Sequence, residues 1–330
     1  MDKCHRLRYY DGNMERSDFN ISGKNLNEEE REKVAKHYEK TFQEGREPVE
    51  GELLKSEQTL RFIEVINNYL NEELRSLDLR EVNLDLHSLH ILTVEGFEKK
   101  FPDSPDANGI YRSDQDAVYV EQSEFRMQTY KSLLHEIVHQ LSYQAISANQ
   151  EIKETYVVRS GYTNMPGTEK YHEHFRGLNE AIIDSIVKEI FMKHKDDLIE
   201  KLDITQKEQT ERVAFYDDYI SILKIVMEKI AEKNNEDKEV VWKRFKKGEF
   251  TGEMMHLREV ERAFGEGALR VLAALGSGTK IAKRSELIKK MQDYFKTDDT
   301  VIQQKIAKEI LIERENLRYG QRKNQHLDFN

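Results

Sequence analysis

The chain has 330 residues, of which 38% are hydrophobic and 35% are charged, and its formal net charge is −10. This length suffices for one large domain or two modest ones with a buried core. The negative charge argues against nucleic-acid binding, because phosphate contacts require a concentrated positive surface. The single cysteine, Cys4, excludes an internal disulfide framework and a cysteine-based zinc cage. Any metal ligands are therefore expected among histidine and carboxylate side chains.

The first residues, MDKCHRLRYYDGNMERSD, lack the apolar segment of a secretory signal. No stretch of the sequence reaches the ~18 uncharged apolar residues that a membrane span requires. We therefore expect a chain without membrane contact and with a cytoplasmic location. Nothing in the sequence indicates its oligomeric state.

Residues 1–50 are polar and charge-dense, and they predict an extension that is helical or partly disordered. Its one plausible helix lies over residues 25–45. A stronger amphipathic helix is predicted over 56–77, where apolar residues recur at i, i+3 and i+4. These residues are Phe62, Ile63, Ile66, Tyr69, Leu70, Leu74 and Leu77.

A region of short strands is predicted next. Residues 89–94 are rich in β-forming residues, and residues 109–112 and 117–121 flank a four-residue polar turn. The last two segments therefore predict a β-hairpin. The segment 123–144 then predicts the most apolar helix of the chain, with a cap at Ser123 or Glu124.

The second half of the chain is expected to be mainly helical. Residues 154–171 predict a strand, a loop and a second strand, and residues 178–194 predict an apolar helix. Further amphipathic helices follow, including a continuous one over 256–275. We therefore predict an α+β fold with a small mixed or antiparallel sheet packed on the helix of 123–144. The expected segments are an extension over 1–50, an α+β domain over 51–195 and a helical domain over 196–330.

The helix of 123–144 carries the motif H-E-x-x-H. His135 and His139 are one helical turn apart on the same face, so both imidazoles can reach one tetrahedral ion at ~2.0–2.1 Å. Glu136 is rotated by about 100° from His135 and leans beside the metal. From there it can take a proton from a zinc-bound water, whose pKa zinc lowers toward ~7. Apolar neighbours place these polar groups on a buried helix, where they need partners.

A catalytic zinc requires a third protein ligand and one open position. Glu180, at the start of the helix predicted over 178–194, is the best candidate. Asp184 lies one turn further on the same face, where it can accept the N–H of a ligating histidine. His172 and His174, in a predicted loop, are alternative ligands in place of Glu180.

The pair of motifs, HEIVHQL followed by GLNEAIID, resembles the gluzincin zinc peptidases, the thermolysin-like group. The resemblance covers roughly residues 85–190. It implies a peptidase with one zinc per chain, held by His135, His139 and Glu180, with Glu136 as the catalytic base. It also implies that Asp184 lies behind a zinc histidine, that Asn179 lies near the substrate backbone, and that the substrate is a peptide or protein. The metzincin pattern, with its third histidine, is absent.

Gluzincins carry an edge strand that pairs with an extended peptide, and Asn108, Gly109 and Tyr111 lie at the corresponding place. A plain hairpin strand is an equally good interpretation of these residues. The group that stabilises the oxyanion is expected from a Tyr or His outside the zinc helices, and Tyr162 is the first candidate. The other candidates are Tyr171, His172, His174, Tyr216, Tyr219 and His256. Arg159 is a candidate for binding a substrate carboxylate.

Two rival functions remain open on the sequence alone. In one, the chain is a catalytically idle zinc-binding scaffold whose helical half binds a partner. In the other, it is a helical interaction protein without a metal, and the double motif is accidental. The intact Glu136 counts against the idle scaffold, because zinc binding alone does not require a carboxylate there.

Overall fold

The computed structural model describes residues 5–11, 14–22, 27–149, 154–165, 173–205, 216–276 and 281–325. Within these ranges the chain is a mixed α+β protein in which helices predominate, as the sequence predicts. Contacts divide the chain into two compact units. Unit 1 comprises Met1–Ser160 and Ser185–Phe215, and unit 2 comprises Gly161–Asp184 and Tyr216–Asn330. Each unit therefore joins separate stretches of the chain, whereas the segments expected from the sequence are continuous.

Four strands of one sheet lie in unit 1, in the order β1, β2, β6, β7. The outer pairs β1–β2 and β6–β7 are antiparallel, and β2–β6 is parallel with Asn20 opposite Ala145. Buried residues of helix α1, among them Tyr38 and Phe42, form one core with Ile21 of β2 and Ile146 of β6. The bounds are β1 His5–Asp11, β2 Met14–Ser22, α1 Glu28–Glu44, β6 Gln144–Asn149 and β7 Glu154–Ser160.

The helix expected within residues 1–50 is confirmed as α1, and the strands β1 and β2 before it were not expected. Asn27 caps α1: its side chain accepts from the N–H of Glu30, whose carboxylate accepts from the N–H of Asn27. Cys4 lies outside the described residues. Among the described helices, none is long and apolar enough to cross a membrane.

A second, three-stranded sheet of unit 1 has the order β3, β5, β4. The β3–β5 pair is parallel and the β4–β5 pair is antiparallel, so the predicted hairpin is confirmed and the sheet is mixed. Helix α4 contacts both β4 and β5. The bounds are β3 Leu89–Leu92, β4 Gly109–Arg112, β5 Ala117–Glu121 and α4 Arg126–Leu141, with the short helix α3 at Val94–Lys100.

The start of α4 differs from the sequence-based prediction. Phe125 occupies the N-cap position and makes no side-chain capping bond. Ser123 precedes the helix, where its hydroxyl accepts from the N–H of Phe125 and its own N–H donates to the Thr129 hydroxyl. The cap predicted at Ser123 or Glu124 is therefore wrong. The helix also ends at Leu141, because residues from Gln144 onward pair in β6.

Helix α2, at Glu57–Ser76, confirms the strongest helix prediction of the sequence. Its N-terminus is capped by the Ser56 side chain, which accepts from the N–H of Thr59. Its apolar face is buried, and Phe62 stacks on Tyr130 of α4 with ring centroids 4.1 Å apart. This contact fixes α4 against α2 within unit 1. Unit 1 also contains helix α6 at Lys195–Lys201.

Helix α5, at Arg176–Lys193, confirms the helix expected over 178–194 and contributes residues to both units. The two-residue strand β8, Thr163–Asn164, belongs to unit 2. There Asn164 forms an isolated bridge with His174. The remaining helices of unit 2 are α7 Asp217–Asn234, α8 Lys238–Thr251, α9 Arg258–Phe264, α10 Ala268–Ala273, α11 Ile281–Lys296 and α12 Thr300–Gln325.

The continuous helix predicted over 256–275 is interrupted. A short 3₁₀ segment at Met255–Leu257 leads into α9, which stops at Gly265, and α10 begins after Gly267. The φ angles of these glycines are +91° and +92°. Only glycine adopts such angles without strain. The two glycines therefore form a turn within a segment whose amphipathic pattern predicts a helix.

Candidate metal centre

The two motif histidines lie on one face of α4, and their side chains converge. The Nε2 atoms of His135 and His139 are 3.2 Å apart, and the ring centroids are 4.9 Å apart. Two ligand atoms at ~2.0–2.1 Å from a tetrahedral ion lie ~3.3–3.4 Å from one another. The separation of the imidazole nitrogens therefore matches one edge of a zinc tetrahedron.

Glu180, on the second turn of α5, belongs to the same cluster. One ligand atom from each of His135, His139 and Glu180 lies within 4.8 Å of the other two. His135 is buried, and the other two residues are half-buried. Two imidazole nitrogens and one carboxylate oxygen are a donor set that suits catalytic zinc and leaves one position for water or substrate. The chemistry of the donors thus fits the metal that the sequence predicts.

Glu136 is 8% exposed and points toward the hairpin of unit 1. Its Oε2 accepts a hydrogen bond from the backbone N–H of Tyr111 in β4, at 2.8 Å. One turn later, the side-chain amide of Gln140 donates to the backbone carbonyl of Asp116, at 2.9 Å. The Tyr111 hydroxyl contacts the carboxylate of the same Asp116, at 3.3 Å. The hairpin is thus tied to α4 at two successive turns.

The contact with Tyr111 places the Glu136 carboxylate at the outer edge of the sheet. The N–H of Glu121 donates to the carbonyl of Asn108, so Asn108 and every second residue after it face β5. The N–H and C=O groups of Gly109 and Tyr111 therefore point to the other side of β4. Among the described strands, none pairs with β4 on that side.

Asn179 precedes Glu180 and is 1% exposed. Its side-chain oxygen accepts from the backbone N–H of Tyr162 at 2.6 Å and from that of Thr163 at 3.4 Å. In unit 2 this oxygen therefore holds the turn that begins at Gly161. The substrate-backbone role that the resemblance implies for Asn179 stays a prediction.

Asp184, one turn after Glu180, is fully buried. Its Oδ2 accepts a 2.5 Å hydrogen bond from the backbone N–H of Tyr216. This bond fixes the chain where it enters α7. The expected contact with a ligating histidine stays a prediction.

Tyr162, the first candidate for stabilising the oxyanion, packs inside unit 2. The side chain is fully buried in unit 2, and its hydroxyl lies 3.0 Å from the carbonyl of Phe245 and 2.5 Å from Nε2 of His256. A Cβ built at Gly248 would collide with that hydroxyl, so the phenol packs closely against α8. The phenol is part of the packing of unit 2, and its expected role in stabilising an oxyanion stays a prediction.

The other candidates for stabilising the oxyanion, and Arg159, have different surroundings. His174 contacts Arg314 through Nδ1, at 2.8 Å, and is not in the cluster of ligand atoms. His256 is 9% exposed and pairs with Tyr162, and Tyr219 is 5% exposed and stacks on the exposed Tyr216. The Arg159 guanidinium lies over the ring of Tyr143, 4.9 Å from its centroid. Tyr171 and His172 lie outside the described residues.

Arg176 is a charged neighbour of Glu180 that the sequence reasoning missed. Burial lowers the pKa of this guanidinium, but the carboxylates of Glu173 and Glu180 outweigh it and hold the pKa above its ordinary value. The Glu173 carboxylate also accepts from Arg176 at 3.2 Å. The spacing of Arg176 and Glu180, one helical turn, is the signal that would have found the pair.

Comparisons of this chain with models of known protein families, with curated proteins and with solved structures find no match.

Proposed function

We propose that the chain is a zinc-dependent hydrolase of peptide bonds, organised as in the gluzincins. The observation that carries the proposal is the convergence of the Nε2 atoms of His135 and His139, 3.2 Å apart on one face of α4. A chance H-E-x-x-H motif does not require two imidazole nitrogens at the separation of one edge of a zinc tetrahedron.

In this proposal one zinc ion per chain is held by His135, His139 and Glu180. The 3.2 Å separation of the imidazole nitrogens supports a tetrahedral site, because the two lone pairs then converge on one ion. When bound, zinc supplies Lewis acidity that lowers the pKa of a water molecule toward about 7 and polarises a carbonyl group. The open coordination position is left for water and substrate.

Glu136 is the general base of the proposed reaction. Its carboxylate takes the proton from the attacking water and then passes it to the leaving amine of the broken peptide bond. The hydrogen bond from the N–H of Tyr111 supports this role, since it holds the carboxylate on one side of α4 in a fixed orientation. Burial of Glu136 at 8% exposure limits competing bulk water.

The proposed substrate is an extended peptide that pairs with the outer edge of β4. The backbone groups of Gly109 and Tyr111 face that edge, and Asn108 begins the strand. A peptide added there would form main-chain hydrogen bonds with the N–H and carbonyl of Gly109 and with the carbonyl of Tyr111, while the N–H of Tyr111 stays bonded to Glu136. The Glu136 carboxylate reaches the same edge, so the bound peptide and the base would meet.

The experiment is a comparison of zinc content and peptide cleavage. The purified chain should contain about one zinc per chain and should cleave members of a peptide library. Glu136→Gln should keep the zinc and lose cleavage by several orders of magnitude, because only the base is removed. Glu64→Gln is the control, since Glu64 is exposed on α2. Zinc binding without cleavage of any peptide would favour the idle zinc-binding scaffold. Absence of zinc binding would exclude both the peptidase and the scaffold. Cell fractionation would test the predicted cytoplasmic location.

A further inference from the structure

Gly109 lies against the side chain of Glu136. A Cβ built on Gly109 would stand 2.8 Å from Cγ, 3.0 Å from Oε1 and 3.3 Å from Cδ of Glu136. All three of these nearest atoms belong to this one side chain. The space that a side chain at position 109 would occupy is therefore filled by the glutamate.

The second half of the contact is the backbone N–H of Tyr111, two residues further along β4. It donates to Oε2 of Glu136, at 2.8 Å, while Oε1 lies next to Gly109. Residues i and i+2 of a strand face the same way, so Gly109 and Tyr111 form one surface for the carboxylate. Gly109 leaves space for the Glu136 side chain, and Tyr111 donates the hydrogen bond to its carboxylate.

We infer that Gly109 is a positioning residue, whose missing side chain lets the Glu136 carboxylate lie on β4 within reach of the Tyr111 N–H. The inference rests on the proposed function, in which Glu136 is the general base. Gly109 acts through Glu136 and does not itself take part in proton transfer. A methyl group at position 109 displaces the carboxylate from the strand edge where the peptide binds.

Alanine at this position should displace one side chain and leave the backbone in place. The backbone of Gly109 does not adopt the left-handed conformation that favours glycine, and the colliding atoms belong to a flexible side chain. Gly45, near the same hairpin, provides a contrast. A Cβ there would collide with the backbone carbonyl of Gln115, which cannot rotate away. Alanine at position 109 should therefore affect the base, and alanine at position 45 should affect the fold.

The kinetic test compares Gly109→Ala with wild type. We expect unchanged zinc content, a melting temperature lower by no more than a few degrees, KM within about twofold, and kcat lower by on the order of 100-fold, as for a misplaced reacting group. Gly45→Ala should instead lower the melting temperature and leave the kcat of the folded fraction unchanged. In a Glu136→Asp background the shorter side chain leaves room for the methyl group. In that background Gly109→Ala should lower kcat by less than about threefold. The smaller effect than in wild type is the non-additivity expected for two residues in contact.

A second readout does not depend on catalysis. With ¹⁵N-labelled tyrosine, the amide signal of Tyr111 is the one that disappears in Tyr111→Phe. This signal should move in Glu136→Ala, which removes the acceptor, and it should move in the same direction in Gly109→Ala. An unchanged Tyr111 amide in Gly109→Ala, or an unchanged kcat, would overturn the inference. If wild type cleaves no peptide, the proposed function fails, and the amide signal still decides whether Gly109 positions Glu136.

Discussion

The backbone N–H of Tyr111 donates a 2.8 Å hydrogen bond to the carboxylate of Glu136, 25 positions later in the chain. The bond joins the outer strand of a sheet to the helix that carries both motif histidines. Hydrogen bonds to charged groups contribute about 1.5–3 kcal/mol, roughly twice as much as those between neutral groups. The orientation of Glu136 therefore depends on the position of the hairpin as well as on α4.

Removal of that donor should slow the proposed reaction. Tyr111→Pro deletes the N–H without breaking the ladder, because this N–H points away from β5 and proline is tolerated on an outer strand. We expect kcat to fall by about tenfold or more, since Glu136 loses its orienting bond. Tyr111→Ala is the matched control, because it also removes the phenol and its 3.3 Å contact with Asp116 but keeps the N–H. Equal kcat values in the two variants would show that the N–H does not orient the base.

Glu180 should determine zinc affinity. Glu180→Gln keeps an oxygen donor but removes the charge, and we expect the zinc dissociation constant to rise by more than about tenfold. Glu180→Ala should raise it further. Glu189→Gln, an exposed position on the same helix, is the control and should bind zinc like wild type. Competition with a metal chelator measures these constants. If Glu180→Ala binds zinc like wild type, another residue is the third ligand.

Tyr162→Phe should affect stability and leave catalysis intact. The variant removes a fully buried hydroxyl that lies against the Phe245 carbonyl and His256. Loss of such a partner costs about 1–3 kcal/mol, which urea unfolding would detect as a lower midpoint. We expect kcat/KM to change by less than about twofold, because the phenol is fully buried. A large loss of kcat with normal stability would instead support the predicted role of Tyr162 in stabilising the oxyanion.

The carboxylate of Glu236 should make the stability of unit 2 depend on pH. Its hydrogen bonds with Arg244, whose Nη2 also bonds to Glu259, lower the pKa of Glu236 from 4.5 to about 2. Because the folded-state pKa is depressed, this stabilisation is present above pH 4.5 and is lost as the pH falls toward 2. We expect Glu236→Gln to cost about 1 kcal/mol at pH 7, since the pair is partly solvated.

Urea unfolding of wild type and Glu236→Gln at pH 7, 4 and 3 would measure this effect. The difference between the two proteins should shrink at each step toward acid. Glu228→Gln is the control: its partner is Lys238, and both side chains are about half exposed. It should cost less than about 0.5 kcal/mol at every pH. A difference for Glu236→Gln that does not change with pH would contradict the assignment.

Elements with local signals were predictable from the sequence. Ser56 and the apolar stripe that includes Phe62 and Ile66 specify α2 without reference to any other segment. The hairpin of β4 and β5 was equally predictable, because a polar turn separates two short runs of β-forming residues. The convergence of the two motif imidazoles was predictable because His135 and His139 are one helical turn apart, whereas Glu180 as the third ligand stays a prediction.

Features that depend on distant partners were not predictable. Strand β6 pairs in parallel with β2, which lies more than a hundred positions earlier. No local sequence pattern around Ala145 indicates that partner. The burial of Tyr162 likewise depends on Phe245 and His256, which lie 83 and 94 positions away. The break at Gly265 and Gly267 was locally visible, but the amphipathic pattern around it favoured a continuous helix.

The parallel pairing of β2 with β6 also bears on how shortened versions of the chain would behave. If the first 50 residues were clipped off by a protease, β6 would lose its neighbour on one side, and Ile146 would lose the packing of Ile21 and α1. The trimmed chain would then present an unpaired row of peptide groups beside an uncovered apolar face, a template for self-association. Proteolytic removal of the first 50 residues should therefore yield a product that aggregates.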